Sequence, residues 1–212
     1  MAEQVMTDIS QLRRSPLAHL EDVLREGTVA GERGVELREV PFLTQVGLRA
    51  EPGSAAARAL ESAAGVPLPT KVGETTGDNN GSGGIAVLWL GPDEFLLVAP
   101  EGSDAVAKLT AALGSEPGAV VDLSANRTTL ELSGPSARKV LETGCPADLH
   151  PRVFGPGTAV TTTIGLVPVL LWQTAEEGGS QTYRILPRAS FADFAARWIL
   201  DAMTEFAGPE VD

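Results

Sequence analysis

The sequence predicts an α+β fold built from two repeated βαββα units with mainly antiparallel sheets in a ferredoxin-like arrangement. Three observations predict it. Apolar, β-rich runs such as IAVLWL and EFLLVA are joined by Gly91-Pro92-Asp93, the chemistry of a tight antiparallel hairpin. Ser- or Pro-started amphipathic stretches that end at Gly alternate with such runs. The order strand, Gly/Pro, Ser, Ala-rich helix, Gly, Pro also occurs twice. One copy passes through Ser54, Arg58, Leu60, Glu61, Gly65 and Pro67, the other through Ser136, Arg138, Leu141, Glu142, Gly144 and Pro146. The repeat divides the chain into 1–118, which carries an N-terminal segment and a flexible loop at 75–84, and 119–212.

In chain order, Ser15 and Pro16 suit a helix start, and Leu17, Leu20 and Leu24 recur at helical spacing before Gly27. Phe42 to Leu48 reads as a strand. Ser54 caps AAARALESAA, which stops at Gly65. The stretch TTGDNNGSGG has no apolar residue and reads as a mobile surface loop. It differs from a phosphate loop because no Lys follows it and a strand comes next. After the hairpin, 103–113 is an amphipathic helix. AVVDL is a short buried strand, RTTLELS a half-buried one, and Gly134-Pro135-Ser136 opens the helix ARKVLETG. TAVTTTI, PVLLW and TYRIL are three further strands. Ser190 caps FADFAARWILDAM, whose Phe191, Phe194, Trp198 and Met203 form an apolar stripe that reads as core.

Composition limits function. Of 212 residues 43% are apolar and 21% charged, the balance of a folded chain. Sixteen Lys and Arg stand against 28 Asp and Glu, a net charge of −12 that disfavours a phosphate backbone as partner. A single cysteine, Cys145, precludes a disulfide framework within the chain. With no apolar leader or membrane-length run, the expected location is cytoplasmic.

Chemistry-bearing residues are few, with His19 and His150 the only histidines. Cys145 and His150 share a Pro-rich loop that holds either a nucleophile dyad or, on the blander view, a structural turn. Asp122 and Arg127 flank Ser124 and Asn126. They read either as a buried ion pair that locks the loop or as an anion or carboxylate site at Arg127. Glu176-Glu177 and Asp93-Glu94 sit beside Gly in turns and read as solvated charge. The RSPLAHL segment, with Pro16, Leu17 and His19, has little apolar area of its own and is expected to dock on a partner chain.

Several stretches carry a resemblance. VDLSANRTTLELSGPSARKVL from Val121 to Leu141, GCPADLHP from Gly144, FGPG from Phe154, RSPLAH from Arg14, WLGPDEFLL from Trp89 and RASFA from Arg188 together resemble the gamma subunits of bacterial heterotetrameric sarcosine oxidases. Asp122, Ser124, Gly134, Pro135 and Ala137 also echo the aminomethyltransferase of the glycine cleavage system, and so imply an aminomethyltransferase-type fold. The resemblance implies a subunit without catalytic residues in a flavoenzyme that oxidatively demethylates sarcosine to glycine. Hydrogen peroxide is formed, and the one-carbon unit leaves as formaldehyde or 5,10-methylenetetrahydrofolate. It places FAD, FMN, NAD, tetrahydrofolate and zinc on partner alpha, beta and delta subunits and no cofactor on this chain. Pro16, Leu17, His19, Asp122, Arg127, Cys145 and His150 become candidates for interface or loop-shaping residues. The stretch GLVPVLLW from Gly165 lacks the carboxylates that aminomethyltransferases carry after a Gly-rich turn, and Thr143 to Pro146 departs from the Lys-Gly-Cys-Tyr motif of relatives that serve iron–sulfur proteins. The alternative function is a stand-alone folate-binding protein of the aminomethyltransferase type.

Overall fold

A computed structural model describes residues 12–208. Its elements are α1 (Glu21–Glu26), β1 (Glu36–Glu39), β2 (Thr44–Arg49), α2 (Ala55–Ala64), β3 (Thr75–Gly77), β4 (Ala86–Gly91), β5 (Glu94–Ala99) and α3 (Ala105–Leu113). They continue with β6 (Ala119–Asp122), β7 (Leu130–Gly134), α4 (Ala137–Glu142), β8 (Ala159–Ile164), β9 (Val167–Glu177), β10 (Ser180–Pro187) and α5 (Ala192–Met203). None of the described helices is long and apolar enough to cross a membrane.

The strands form two antiparallel sheets, ordered β3-β4-β5-β2-β6 and β8-β9-β10-β7-β1. The second order repeats the first, with β7 in the place of β2 and β1 in the place of β6. Each unit is therefore β-α-β-β-β-α with one added edge strand, and the repeat read from Ser54 and Ser136 is a repeat of topology. The sheets do not follow the 118/119 division. β1 comes from the first half and closes the second sheet through Leu37 opposite Leu132, whereas β6 comes from the second half and closes the first through Val121 opposite Gly47.

Residue alternation along the strands builds four layers, helix, sheet, sheet, helix. On β5, Phe95, Leu97 and Ala99 face Ala56, Leu60 and Leu109 of α2 and α3, while Leu96 and Val98 face the other sheet. On β9, Val169 and Leu171 face Ala195 and Ile199 of α5, while Leu170 and Trp172 meet Leu88 and Leu96 across the sheets. Strands buried on both faces need apolar residues at successive positions, so EFLLVA and VPVLL run without polar alternation.

Local chemistry explains which helix ends were readable. The Ser54 hydroxyl accepts the N–H of Ala57 at 3.1 Å, and Gly65 closes α2 at φ 69°, a left-handed position suited to Gly. Ser136 and Ser190 make no such cap: α4 and α5 begin without a side-chain hydrogen bond at the cap. The expected mobile loop at 75–84 instead opens with β3, paired to β4, and continues as a turn organised by Asp78. Its carboxylate accepts the N–H groups of Gly83 and Gly84 at 2.8 and 2.6 Å and the Ser82 hydroxyl at 3.0 Å. Thr75 ties this region to the second sheet, donating both its N–H and its hydroxyl to the Gly157 carbonyl.

Three further expectations are corrected. AVVDL is a half-exposed edge strand, since β2 already covers its one paired side. On α5 the buried face is Ala192, Ala195, Ala196, Ile199 and Met203, and Phe191 and Phe194 are exposed. The N-terminal segment packs on its own chain: Leu17, Leu20 and Leu24 are buried with Val35 and Leu37 in the core beneath α4 and α5. Those leucines supply the apolar cover that β1, ELRE, cannot supply alone.

Candidate functional site

Residues 13–16 and the turn between β6 and β7 enclose a cleft of about 410 Å³. Glu39 at the end of β1 holds the two walls together, one carboxylate oxygen accepting the Ser15 hydroxyl and the other the Thr128 hydroxyl, each at 2.5 Å. Arg13, Arg14 and Pro16 line one wall, and Asp122, Ser124, Arg127 and Thr128 the other. The RSPLAH and DLSANRT stretches, distant in sequence, thus meet here. Phe42 lines the cleft at φ 61°, a left-handed conformation uncommon for a bulky residue, and its ring lies 4.2 Å from the Arg13 guanidinium. Nothing in the sequence marks Phe42 or Arg13 for this position, because a positive φ at a non-Gly residue has no signature of its own.

Electrostatics in the cleft do not follow the expected ion pair. The Asp122 carboxylate is exposed and accepts the Ser124 hydroxyl at 2.6 Å and the Ser124 N–H at 2.9 Å, which hold it below the ordinary carboxylate range. The Ser124 hydroxyl in turn accepts the N–H of Gln45 on β2 at 3.1 Å. Arg127 is half-buried and donates to the Leu186 carbonyl at 3.1 Å. Burial, followed by the neighbouring charge of Arg188, lowers its pKa. Among the described residues no carboxylate pairs with it. Asp122 is thus satisfied locally, and the buried Asp122–Arg127 pair is not formed.

The Cys145 and His150 loop is no dyad. Cys145 is buried in the core beneath α4 and α5 with its Sγ 3.7 Å from the Thr162 hydroxyl. His150 is exposed, and its Nδ1 accepts the N–H of Arg152 at 3.2 Å. Pro16 is exposed at the cleft, Leu17 is core, and the exposed His19 places Nε2 2.7 Å from Asp193 on α5. Asp193 is held below its usual range by that contact and by Arg197.

A second surface lies on α5. Phe191 and Phe194 are 44% and 52% exposed, and Trp198 on the same helix packs against Gly144 and Gly165. Leu166, next to Gly165 at the β8–β9 turn, is 91% exposed. Phe191 and Phe194 thus leave large apolar side chains on the outer side of the chain around the start of α5.

The Gly-rich turn 81–84 does not fit a cofactor phosphate. Its Gly83 and Gly84 N–H groups already bond to the Asp78 carboxylate, which would also repel an anion.

Comparison with known proteins agrees with the resemblance read from the sequence. Residues 47–205 match the family described as "Sarcosine oxidase, gamma subunit family". The chain is 56% identical over 211 residues to sarcosine oxidase subunit gamma of Corynebacterium sp. (strain U-96) and 54% identical to that of an Arthrobacter species, covering 100% of both chains in each case. It superposes with a TM-score of 0.90 on a chain of the heterotetrameric sarcosine oxidase from Corynebacterium sp. U-96 in complex with pyrrole 2-carboxylate, covering 95% of this chain and 100% of that one. The glycine cleavage system aminomethyltransferase T of Bartonella henselae shares the fold, at 17% identity and a TM-score of 0.59, over 89% of this chain and 57% of that one. With the family matched over most of the chain and relatives matched over all of it, the chain belongs to the sarcosine oxidase gamma subunit family.

Proposed function

We propose that this chain is a structural, noncatalytic subunit of a heterotetrameric, cytoplasmic flavoenzyme that oxidatively demethylates sarcosine to glycine. The enzyme forms hydrogen peroxide together with formaldehyde or 5,10-methylenetetrahydrofolate. FAD, FMN, NAD, tetrahydrofolate and zinc reside on the alpha, beta and delta partners, and this chain buttresses them. Full-length similarity to gamma subunits carries the reading. It is supported by the burial of Cys145 away from His150 and by the exposed Phe191, Phe194 and Leu166, whose occupant is another subunit of the complex. Oxidation itself needs the flavin, which belongs to the partners. What this chain's residues do is hold an apolar face and a charged cleft in fixed positions on a four-layer body.

The test is co-expression of alpha, beta and delta with and without this chain. The reading expects a tagged alpha subunit to retain this chain at equal stoichiometry and the complete complex to oxidise sarcosine. It also expects the chain alone to be colourless and inert. Saturable tetrahydrofolate binding by the isolated chain would favour a stand-alone folate-binding protein instead.

A further inference from the structure

We propose that the Arg127 cleft is a carboxylate-binding site whose occupant is an acidic side chain of a partner subunit, an inference that rests on the assembly proposed above. A guanidinium taken partly out of water is stable only with compensation, and a single backbone carbonyl gives Arg127 less than the two-pronged pairing its shape allows. Its neighbour Arg188 adds a second positive charge. Arg14 on the opposite wall adds a further positive charge, while Arg13 beside it is already paired with Glu101 at 3.0 Å. The carboxylates at the cleft are already engaged, Asp122 by Ser124 and Glu39 by Ser15 and Thr128.

Geometry also favours a carboxylate borne on a chain. Glu39 fixes both walls through Ser15 and Thr128, and the Phe42 ring and Glu101 hold the Arg13 guanidinium that borders the cleft. The donors are therefore oriented before anything arrives, which lowers the ordering cost of binding and suits a contact that sets partner register. The cleft is formed by the segment before α1 and by the β6–β7 turn, which is joined to the segment leading into α5 by the Arg127–Arg188 bridge and by the Ala189 N–H donated to the Asn126 carbonyl.

The test uses the assembled complex. Complexes carrying Arg127→Gln, Arg127→Lys or the control Arg152→Gln are immobilised through a tag on the alpha subunit, and release of this chain is followed against sodium chloride. Arg127→Gln is expected to assemble at low salt and to bind at least about tenfold more weakly at higher salt. Arg127→Lys should recover part of the loss and Arg152→Gln should behave as the unsubstituted complex. Equal salt resistance of Arg127→Gln and the unsubstituted complex overturns the inference while leaving the assembly intact. If the unsubstituted chain is not retained at any salt concentration, the assembly reading fails and the inference falls with it. Two other occupants have distinct signatures. Succinate that raises the melting temperature of the unsubstituted complex beyond equal ionic strength of sodium chloride, but not that of Arg127→Gln, identifies a free-carboxylate site and overturns the partner assignment. A Glu3→Gln/Asp8→Asn double variant that loses salt resistance as Arg127→Gln does, without further loss on combination, assigns the occupant to this chain and also overturns it.

Discussion

Asp122 and Arg127 line the same cleft without pairing: the Asp122 carboxylate takes both donors of Ser124, and Arg127 donates to the Leu186 carbonyl. Loss of Arg127 therefore leaves no buried carboxylate behind, and the large penalty of a broken buried pair does not arise. Arg127→Gln is expected to change the unfolding free energy by no more than about 1 kcal/mol, because one lost hydrogen bond is offset by relief of a desolvated charge. Denaturant unfolding checks this, and a loss of about 3 kcal/mol or more would mean that the side chain is paired after all.

Leu20 is buried in one core with Leu37 and Leu132 of the second sheet, so the N-terminal segment is part of the folded body. Leu20→Ala should cost about 2 to 5 kcal/mol, the range for deleting a core leucine. Thermal melting measures it. A change below about 1 kcal/mol would show the segment to be dispensable for the fold.

Gly144 lies under the Trp198 ring, where an added Cβ would come within 2.3 Å of the indole. Gly144→Ala is expected to destabilise by about 1 to 3 kcal/mol through forced movement of the ring, with a change in tryptophan fluorescence. Unaltered fluorescence and stability would contradict the packing of Trp198 on this turn.

Asp78 organises the turn after β3. Burial opposes its ionisation, but hydrogen bonds from Gly84, Ser82 and Gly83 outweigh it and hold the carboxyl below its ordinary 3.8. A carboxylate lowered in the folded state stabilises that state above pH 3.8 and loses its contribution as the pH falls through the folded value. Melting temperatures of the chain and of Asp78→Asn should differ at neutral pH and converge below pH 3.8. A constant difference across that range would remove the carboxylate from the account.

What could be read from the sequence depended on how local the cause was. The Ser54 cap, the Gly65 stop and the Gly91-Pro92-Asp93 hairpin are decided within a few residues, and all three stand. β1 escaped notice because ELRE offers one inward apolar residue, Leu37, and owes its strand form to pairing with β7. Of the α5 stripe, Met203 is buried and Trp198 packs on the core, but Phe191 and Phe194 were placed on the wrong face because they outweigh alanine in hydrophobicity. The helix in fact approaches the sheet through Ala192, Ala195 and Ala196. In the candidate site, Asp122, Arg127 and Pro16 were singled out from their motifs and do meet in one cleft. Arg13 and Phe42 were not singled out, since only the tertiary fold places them opposite Arg127.

The central claim, that this chain supports assembly without supplying a reacting group, is tested most directly by measuring two quantities on one set of complexes. These are the amount of complete tetramer formed and the sarcosine turnover per assembled flavin, for Phe191→Ser/Phe194→Ser and for His150→Ala. The account predicts that the double variant lowers the yield of tetramer, that His150→Ala does not, and that turnover per assembled flavin is the same in both as in the unsubstituted enzyme. Normal assembly with reduced turnover in His150→Ala would contradict it.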